Sequence, residues 1–258
     1  MEFTSDSTVN FSNAVCPLPL PHIDRIVMGH GSGGSMTHDL VARLFLPPLD
    51  NPILRVGDDS GIVEIQNGQR LAISTDAHVV SPLFFSGGDI GRLAVCGTVN
   101  DVAMMGATPL YLTASFILEE GLDVALLQKI IASMRTAATE AGVQIIAGDT
   151  KVVQKGHADS LYIMTSGIGH VPQGISIGGS RARPGDVIIL SGSIGDHGIA
   201  VLEARGELGF EAGVQSDVAP LNHLVTDMIT VAHAGIHVLR CELLQHGISL
   251  SAVRSLEI

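Results

Sequence analysis

Acidic residues in this chain recur in four short settings: Asp58-Asp59, Thr75-Asp76, Asn100-Asp101 and Gly148-Asp149-Thr150-Lys151. Each acid stands at the edge of an apolar run, where an element ends. Carboxylates gathered on one rim repel unless a cation neutralises them, and a magnesium ion carrying phosphate groups would do so. Asp58, Asp59, Asp76, Asp101 and Asp149 are therefore candidate metal ligands, although any one of them also fits a helix cap or a turn. Lys151 is one of three lysines, with Lys129 and Lys155, and follows Asp149 by two. On a strand that spacing puts both on one face. An ammonium there could stabilise charge on a transferring phosphoryl group, or could be a solvated lysine at a strand end.

The segment Gly29-His30-Gly31-Ser32-Gly33-Gly34 satisfies the letter of GxGxxG. A dinucleotide fold would need a second strand ending in an acid about 20 residues on, and Phe45 to Asp50 contains two prolines instead. The general reading is an anion cradle of unobstructed N–H groups next to a helix start, against a ligand-free glycine loop. His30 and His197 lie within glycine segments, where an imidazole could act as acid, base or donor, or be an ordinary surface histidine. Ser191 to Gly198 reads as a second glycine turn or as a helix start capped by Asp196. Cys96, inside an apolar stretch, reads as inert packing.

The elements that must position these residues follow from periodicity. Leu40, Val41, Leu44 and Phe45 have helical spacing until Pro47-Pro48. Gly61 to Ile65 and Leu71 to Ser74 read as strands joined at Asn67-Gly68 in a hairpin. Arg92 to Met105 is apolar on most faces and predicts a buried helix, and Leu110 to Leu118 a strand. Asp123 to Ala141 is amphipathic, with Asp123 as N-cap and Gly142 at its end. Val143 to Ala147, Leu161 to Thr165, Val187 to Leu190 and Ile236 to Leu239 read as strands, with helices opening near Asp196 and spanning about Pro220 to His233. Strands and helices intermix without strict alternation, which favours α+β layers on a mixed sheet.

Composition narrows the function classes. The 258 residues carry 14 Lys and Arg against 26 Asp and Glu, a formal charge of −12, and 3% aromatic residues without Trp. Such a composition is a poor match for a nucleic-acid backbone and leaves little material for stacking bases. Mean hydropathy is +0.39, yet no apolar stretch approaches the roughly 20 residues of a bilayer span. Acidic Glu2 and Asp6 and the lack of an apolar run argue against a signal peptide, so a cytoplasmic protein is expected. Cys16, Cys96 and Cys241 form no CxxC pair.

In order, Gly29 to Gly34, Ser74-Thr75-Asp76, Pro82 to Phe85, Gly87 to Gly91, Asn100 to Ala103, Phe116 to Gly121, Gly148 to Val153 and Gly195 to Gly198 resemble the HypE hydrogenase-maturation family of the PurM-like ATP-dependent enzymes, from about residue 25 to residue 240. The resemblance implies an N-terminal α+β domain whose sheet joins that of a second copy in a barrel-like homodimer, and an α+β C-terminal domain, with ATP and Mg²⁺ at the junction. It implies nucleotide contacts from Gly31, Ser32, Gly33, Gly34, Asp76, Asn100, Asp101, Asp149 and Thr150, metal contacts from the acids above, and catalytic roles for Lys151 and His30. It further implies carbamoyl dehydratase activity, in which a carbamoyl group is loaded by HypF on a C-terminal cysteine, dehydrated to thiocyanate with ATP, and its cyanide passed to the HypC–HypD complex.

The expected division is an arm at 1–24, a PurM-like N-terminal domain at 25–172 and a C-terminal domain at 173–258. After Arg240 the chain departs from the family, reading Cys241-Glu242-Leu243-Leu244 where an Asp-Pro-Thr-Arg-Gly-Gly loop is usual, so a shortened version lacking the acceptor cysteine is expected. A dimerisation or partner-binding module, and a PurM-like small-molecule kinase or synthetase, are the alternatives.

Overall fold

The computed structural model describes residues 25–231 except 189, 210 and 212, together with 252–253. The chain separates into two compact units, Met1–Pro48 and Leu49–Ile258. In the first, a short 3-10 turn at Met28–Gly31 precedes helix α1 (Ser35–Leu40), a π-helical turn at Val41–Phe45 and α2 (Leu46–Leu49). The prolines do not stop this helix as expected. They stand at positions 47 and 48, inside the first turn of α2, where a missing N–H is tolerated.

The second unit is built on a five-stranded mixed sheet. Strands β1 (Gly61–Glu64) and β2 (Arg70–His78) form the expected hairpin, with Asn67 and Gly68 both at positive φ. After two-residue strands β3 (Phe84–Phe85) and β4 (Gly88–Asp89) come helix α3 (Ile90–Met104), β5 (Thr108–Glu119), α4 (Val124–Ala141), β6 (Gln144–Val153) and β7 (Leu161–Val171). The order is β1-β2-β7-β5-β6, with β5 and β6 parallel and the other pairs antiparallel. Beyond it lie β8 (Val187–Ile188), α5 (Asp196–Ala204), α6 (Asn222–Val231) and β9 (Ala252–Val253), which pairs with β8. The strand expected at 236–239 lies outside the described residues.

Sequence alternation explains how the sheet is covered. Along β7, Leu161, Ile163, Thr165, Gly167, Gly169 and Val171 turn inward and are buried where described as side-chain positions, while the residues between them are more exposed. Helices α3 and α4 lie on that inner face. Leu93, Val99, Leu112, Ile130, Met134, Leu161 and Ile163 form the main core. Fourteen of the fifteen residues of α3 are buried, because the sheet, α4 and α6 enclose it. Asp89 caps its start, accepting from the N–H groups of Gly91 and Arg92 at 2.7 and 3.2 Å. Asp123 and left-handed Gly142 bracket α4 as expected. Cys96 is buried among these apolar neighbours, and burial pushes its thiol up to about 12, consistent with packing.

Two glycines let α3 sit this close to the sheet. A Cβ at Gly169 would stand 2.4 Å from Val102 Cγ1 and 2.8 Å from the Thr108 carbonyl oxygen, and one at Gly167 would stand 2.8 Å from Thr98 Cγ2. Overpacking of this kind costs roughly 1–3 kcal/mol. Gly169→Ala is therefore expected to lower the urea midpoint by a destabilisation of about that size; an unchanged midpoint contradicts the close packing.

Candidate functional site

The acidic residues expected to act together are placed by two different strands and one buried helix. Along β2, Ser74, Asp76 and His78 alternate onto the inner face, opposite Gly167, Thr165 and Ile163 of β7. Asp101 comes from α3 and is buried. A buried carboxylate needs partners, and the Ser74 hydroxyl lies 2.8 Å from Asp101 Oδ2 and 3.0 Å from the carbonyl oxygen of Asp59. The Ser60 hydroxyl donates to the Asp101 carbonyl oxygen at 3.0 Å. Asp59, Asp76 and Asp101 are thus gathered around β2 and α3.

Asp149 and Lys151 are elsewhere. They share a face of β6, as their spacing required, and their charged atoms meet at 2.7 Å in solvent. In register, Asp149 stands beside Ser115, which is beside Met164, which is beside Ala77. Asp149 therefore points to the outer face, opposite to Asp76, and lies three strand spacings away, about 14 Å. Thr150 is on the inner face of β6 beside Phe116.

Other expected residues are engaged by backbone. Asp58 Oδ1 accepts from Gly179 N–H at 3.0 Å. Asn100 donates to the Ala219 carbonyl oxygen at 3.0 Å and accepts from Leu221 N–H at 2.7 Å, tying down the chain before α6. Asp196 does not cap α5; left-handed Gly195 precedes the helix and the Asp196 carboxylate takes the Ser193 hydroxyl. His197 is buried rather than surface-facing, with Nδ1 3.0 Å from the Ser216 hydroxyl and its ring edge-on to Phe85.

In the first unit, the Ser32 hydroxyl donates to the Gly29 carbonyl oxygen at 2.8 Å, and Gly33, at φ 73°, donates its N–H to Thr37 Oγ1 at 2.9 Å. His30 Nδ1 accepts from Val27 N–H at 3.0 Å. Nothing stands within 4 Å of where a Cβ would project at Gly31 or Gly33. Bare backbone thus faces open space there, the feature an anion cradle needs.

Sequence reasoning did not single out Ser60, which holds the Asp101 backbone, Ser74 as the partner of the Asp101 carboxylate, or the buried His78 and Thr165 beside Asp76. The period-2 alternation of β2 was the available signal for Ser74 and His78, since both share a face with Asp76. His78 is buried, and desolvation holds its pKa below the ordinary imidazole value despite the opposing charge of Asp76. Among the described residues no three His, Cys, Asp or Glu side chains stand together as a metal cage, and no helix is long and apolar enough to cross a membrane.

A mixed sheet covered on one face by two helices, with carboxylates along its strands, is the PurM-like architecture, and residues 57–171 match the family AIR synthase related protein, N-terminal domain. Within that class the resemblance is to HypE. The chain is 54% identical over 216 residues to carbamoyl dehydratase HypE of Cupriavidus necator, covering 84% of this chain and 61% of that protein. A crystal structure of a HypE–HypF complex matches with 51% identity and a TM-score of 0.72, over 78% of this chain and 64% of the other. A HypE structure in complex with ATP matches with 50% identity and a TM-score of 0.64, over 84% and 64%. The chain thus spans about three fifths of the length of the curated relatives it matches.

The ion pair on β6 gives a test of the outer face. Lys151 and the Thr150 N–H hold the Asp149 carboxyl below its ordinary value. The pair's contribution is accordingly present above the unfolded carboxylate pKa and lost as pH falls through the folded one. Lys151→Met is expected to raise the Asp149 pKa, read from its side-chain carboxyl carbon by NMR; an unmoved titration contradicts the pairing.

Proposed function

We propose that this chain is a HypE-type, ATP- and magnesium-dependent hydrogenase-maturation protein whose catalytic unit is a homodimer. The observation carrying this reading is the division of the acids and Lys151 between opposite faces of one sheet. Within one chain Asp149 and Lys151 cannot reach the Asp76 and Asp101 side. A complete site would then require a second copy whose β6 presents Asp149 and Lys151 on the helix-covered side of its neighbour's sheet. The edge strand β6 supports this: it is exposed along nearly its whole length, Ile145, Ile146 and Val152 included.

The donor set fits magnesium. Carboxylate oxygens suit a hard cation, and Mg²⁺ takes one or two of them with phosphates and water rather than a closed protein cage. Asp76 and Asp101 would hold it, with Asp58 and Asp59 alongside, and it would neutralise phosphate charge when bound. By the family resemblance, the bare amides at Gly31 to Gly34 are proposed phosphate contacts, and Asn100, Asp149 and Thr150 proposed nucleotide contacts.

The reaction proposed is dehydration of an S-carbamoyl-cysteine. The amide oxygen attacks the γ-phosphorus and ADP leaves; loss of phosphate and the amide protons then leaves the thiocyanate. An amide oxygen leaves poorly, and phosphorylation corrects this. Lys151 would stabilise charge on the transferring group, and His30 would accept a proton. Partners by the same reading are HypF, which loads the carbamoyl group, and HypC–HypD, which receives cyanide, in the cytoplasm. The carbamoylated cysteine thiol is the substrate presented to the site.

The test mixes two variants, Asp76→Asn and Lys151→Met, each expected to lack ATP-dependent loss of one water from an S-carbamoyl-cysteine peptide by mass spectrometry. Mixed after unfolding and refolding together, they should regain about a quarter of the parent rate, the statistical share of intact sites in a two-fold dimer. Dehydration by the parent without such recovery contradicts a site shared between copies. ATP turnover only with a free metabolite would favour a small-molecule kinase, and a dimer without ATP turnover a binding module.

A further inference from the structure

His78 belongs to none of the roles above, yet it is a fully buried titratable side chain, 1% exposed, two residues from Asp76 on the same face of β2. Its Nε2 lies 3.1 Å from Thr165 Oγ1 and 3.6 Å from Asp76 Oδ2, while its Nδ1 has no partner. Thr165 is the cross-strand neighbour of Asp76. Its hydroxyl donates to the Ala94 carbonyl oxygen at 3.0 Å and stands 2.6 Å from the hydroxyl of Thr98.

These contacts favour one imidazole tautomer. A hydroxyl has one proton, and the Ala94 carbonyl can only accept. With the Thr165 proton on that carbonyl, Thr98 and His78 both donate to Thr165 Oγ1, which puts the His78 proton on Nε2. The opposite tautomer would bury an unpartnered N–H at Nδ1 and turn the Nε2 lone pair toward a carboxylate, and both cost free energy. Nδ1 as a bare lone pair in apolar surroundings is the lesser penalty.

We infer that His78 is a positioning residue for Asp76: Thr165 anchors its Nε2–H, whose positive end faces Asp76 Oδ2 and restrains that carboxylate on the α3 side of the sheet. At 3.6 Å the contact is too long for a hydrogen bond, so it orients without occupying the oxygen and leaves it available to a cation. The same residues join three elements. Ala94 and Thr98 belong to α3, Thr165 to β7 and His78 to β2. With Ser74 bound to Asp101 on one side and His78 bound to Thr165 on the other, Asp76 is flanked by two pinned neighbours. Its place relative to Asp101 is thereby set by the packing of α3. This inference rests on the reading of Asp76 as a magnesium–nucleotide contact, and it concerns how that residue is held.

Two measurements test it. In protein labelled with ¹⁵N-histidine, long-range ¹H–¹⁵N correlations should show His78 as the Nε2–H tautomer, and Asp76→Asn and Thr165→Val should each move its Nε2 signal. Separately, calorimetric titration should find MgATP bound about tenfold more weakly by His78→Leu, and within about threefold of the parent by His78→Gln, which keeps an N–H donor at similar reach. Circular dichroism confirms that both variants fold. An Nδ1–H tautomer, an Nε2 signal indifferent to Asp76→Asn, or parent-like MgATP affinity in a folded His78→Leu overturns the inference. If the parent itself binds no MgATP, the nucleotide reading fails on its own, and the tautomer experiment still decides the role of His78.

Discussion

Burial of α3 against the sheet is the constraint on which the site depends. Gly167 and Gly169 remove the side chains that would hold the helix away, and α4 and α6 enclose it. A helix sunk this deep cannot leave polar side chains unanswered. Asp101 is met by Ser74, Asn100 by the backbone at 219 and 221, and Thr98 by Thr165. The apolar packing and the placement of the carboxylates are therefore one event. Asp101 and the β2 backbone that carries Asp76 are held by the same core.

On the proposed reading, a divalent ion reconciles a strongly acidic chain with an anionic ligand. On the inner face the Asp101 carboxylate meets the Ser74 hydroxyl, and Asp76 Oδ1 accepts from the Ala77 N–H. The cationic Lys151 is kept away from them on the outer face, paired with Asp149 and solvated. Under the proposed homodimer, an uncovered edge strand β6 is what a second copy would need.

Much of this was legible in the chain. The amphipathic period and caps of α4, the Asn67-Gly68 turn and the uniformly apolar α3 follow from local physics, as does the shared face of Asp149 and Lys151. The mixed sheet followed from irregular alternation. What could not be read was the register of one strand against another. A shift of one residue reverses every side chain, and only the pairing of β2, β7, β5 and β6 reveals that Asp76 and Asp149 face opposite ways. Nor does the sequence around Asn100 show that its side-chain amide bonds backbone about 120 residues on. His78 was passed over because nothing local marks a histidine in a strand as buried. The Pro47-Pro48 pair shows the reverse case, a strong local stop signal accommodated within a helix.

Paramagnetic broadening by MnATP addresses the central claim directly, since Mn²⁺ takes the same oxygen ligands as Mg²⁺. In the proposed homodimer, amide signals of residues 74–78 and 100–102 are predicted to broaden together with those of 149–151, although the latter lie on the opposite face of their own sheet. Broadening confined to residues 149–151, with β2 and α3 unaffected, would show that the buried carboxylates do not face the nucleotide and would contradict the account.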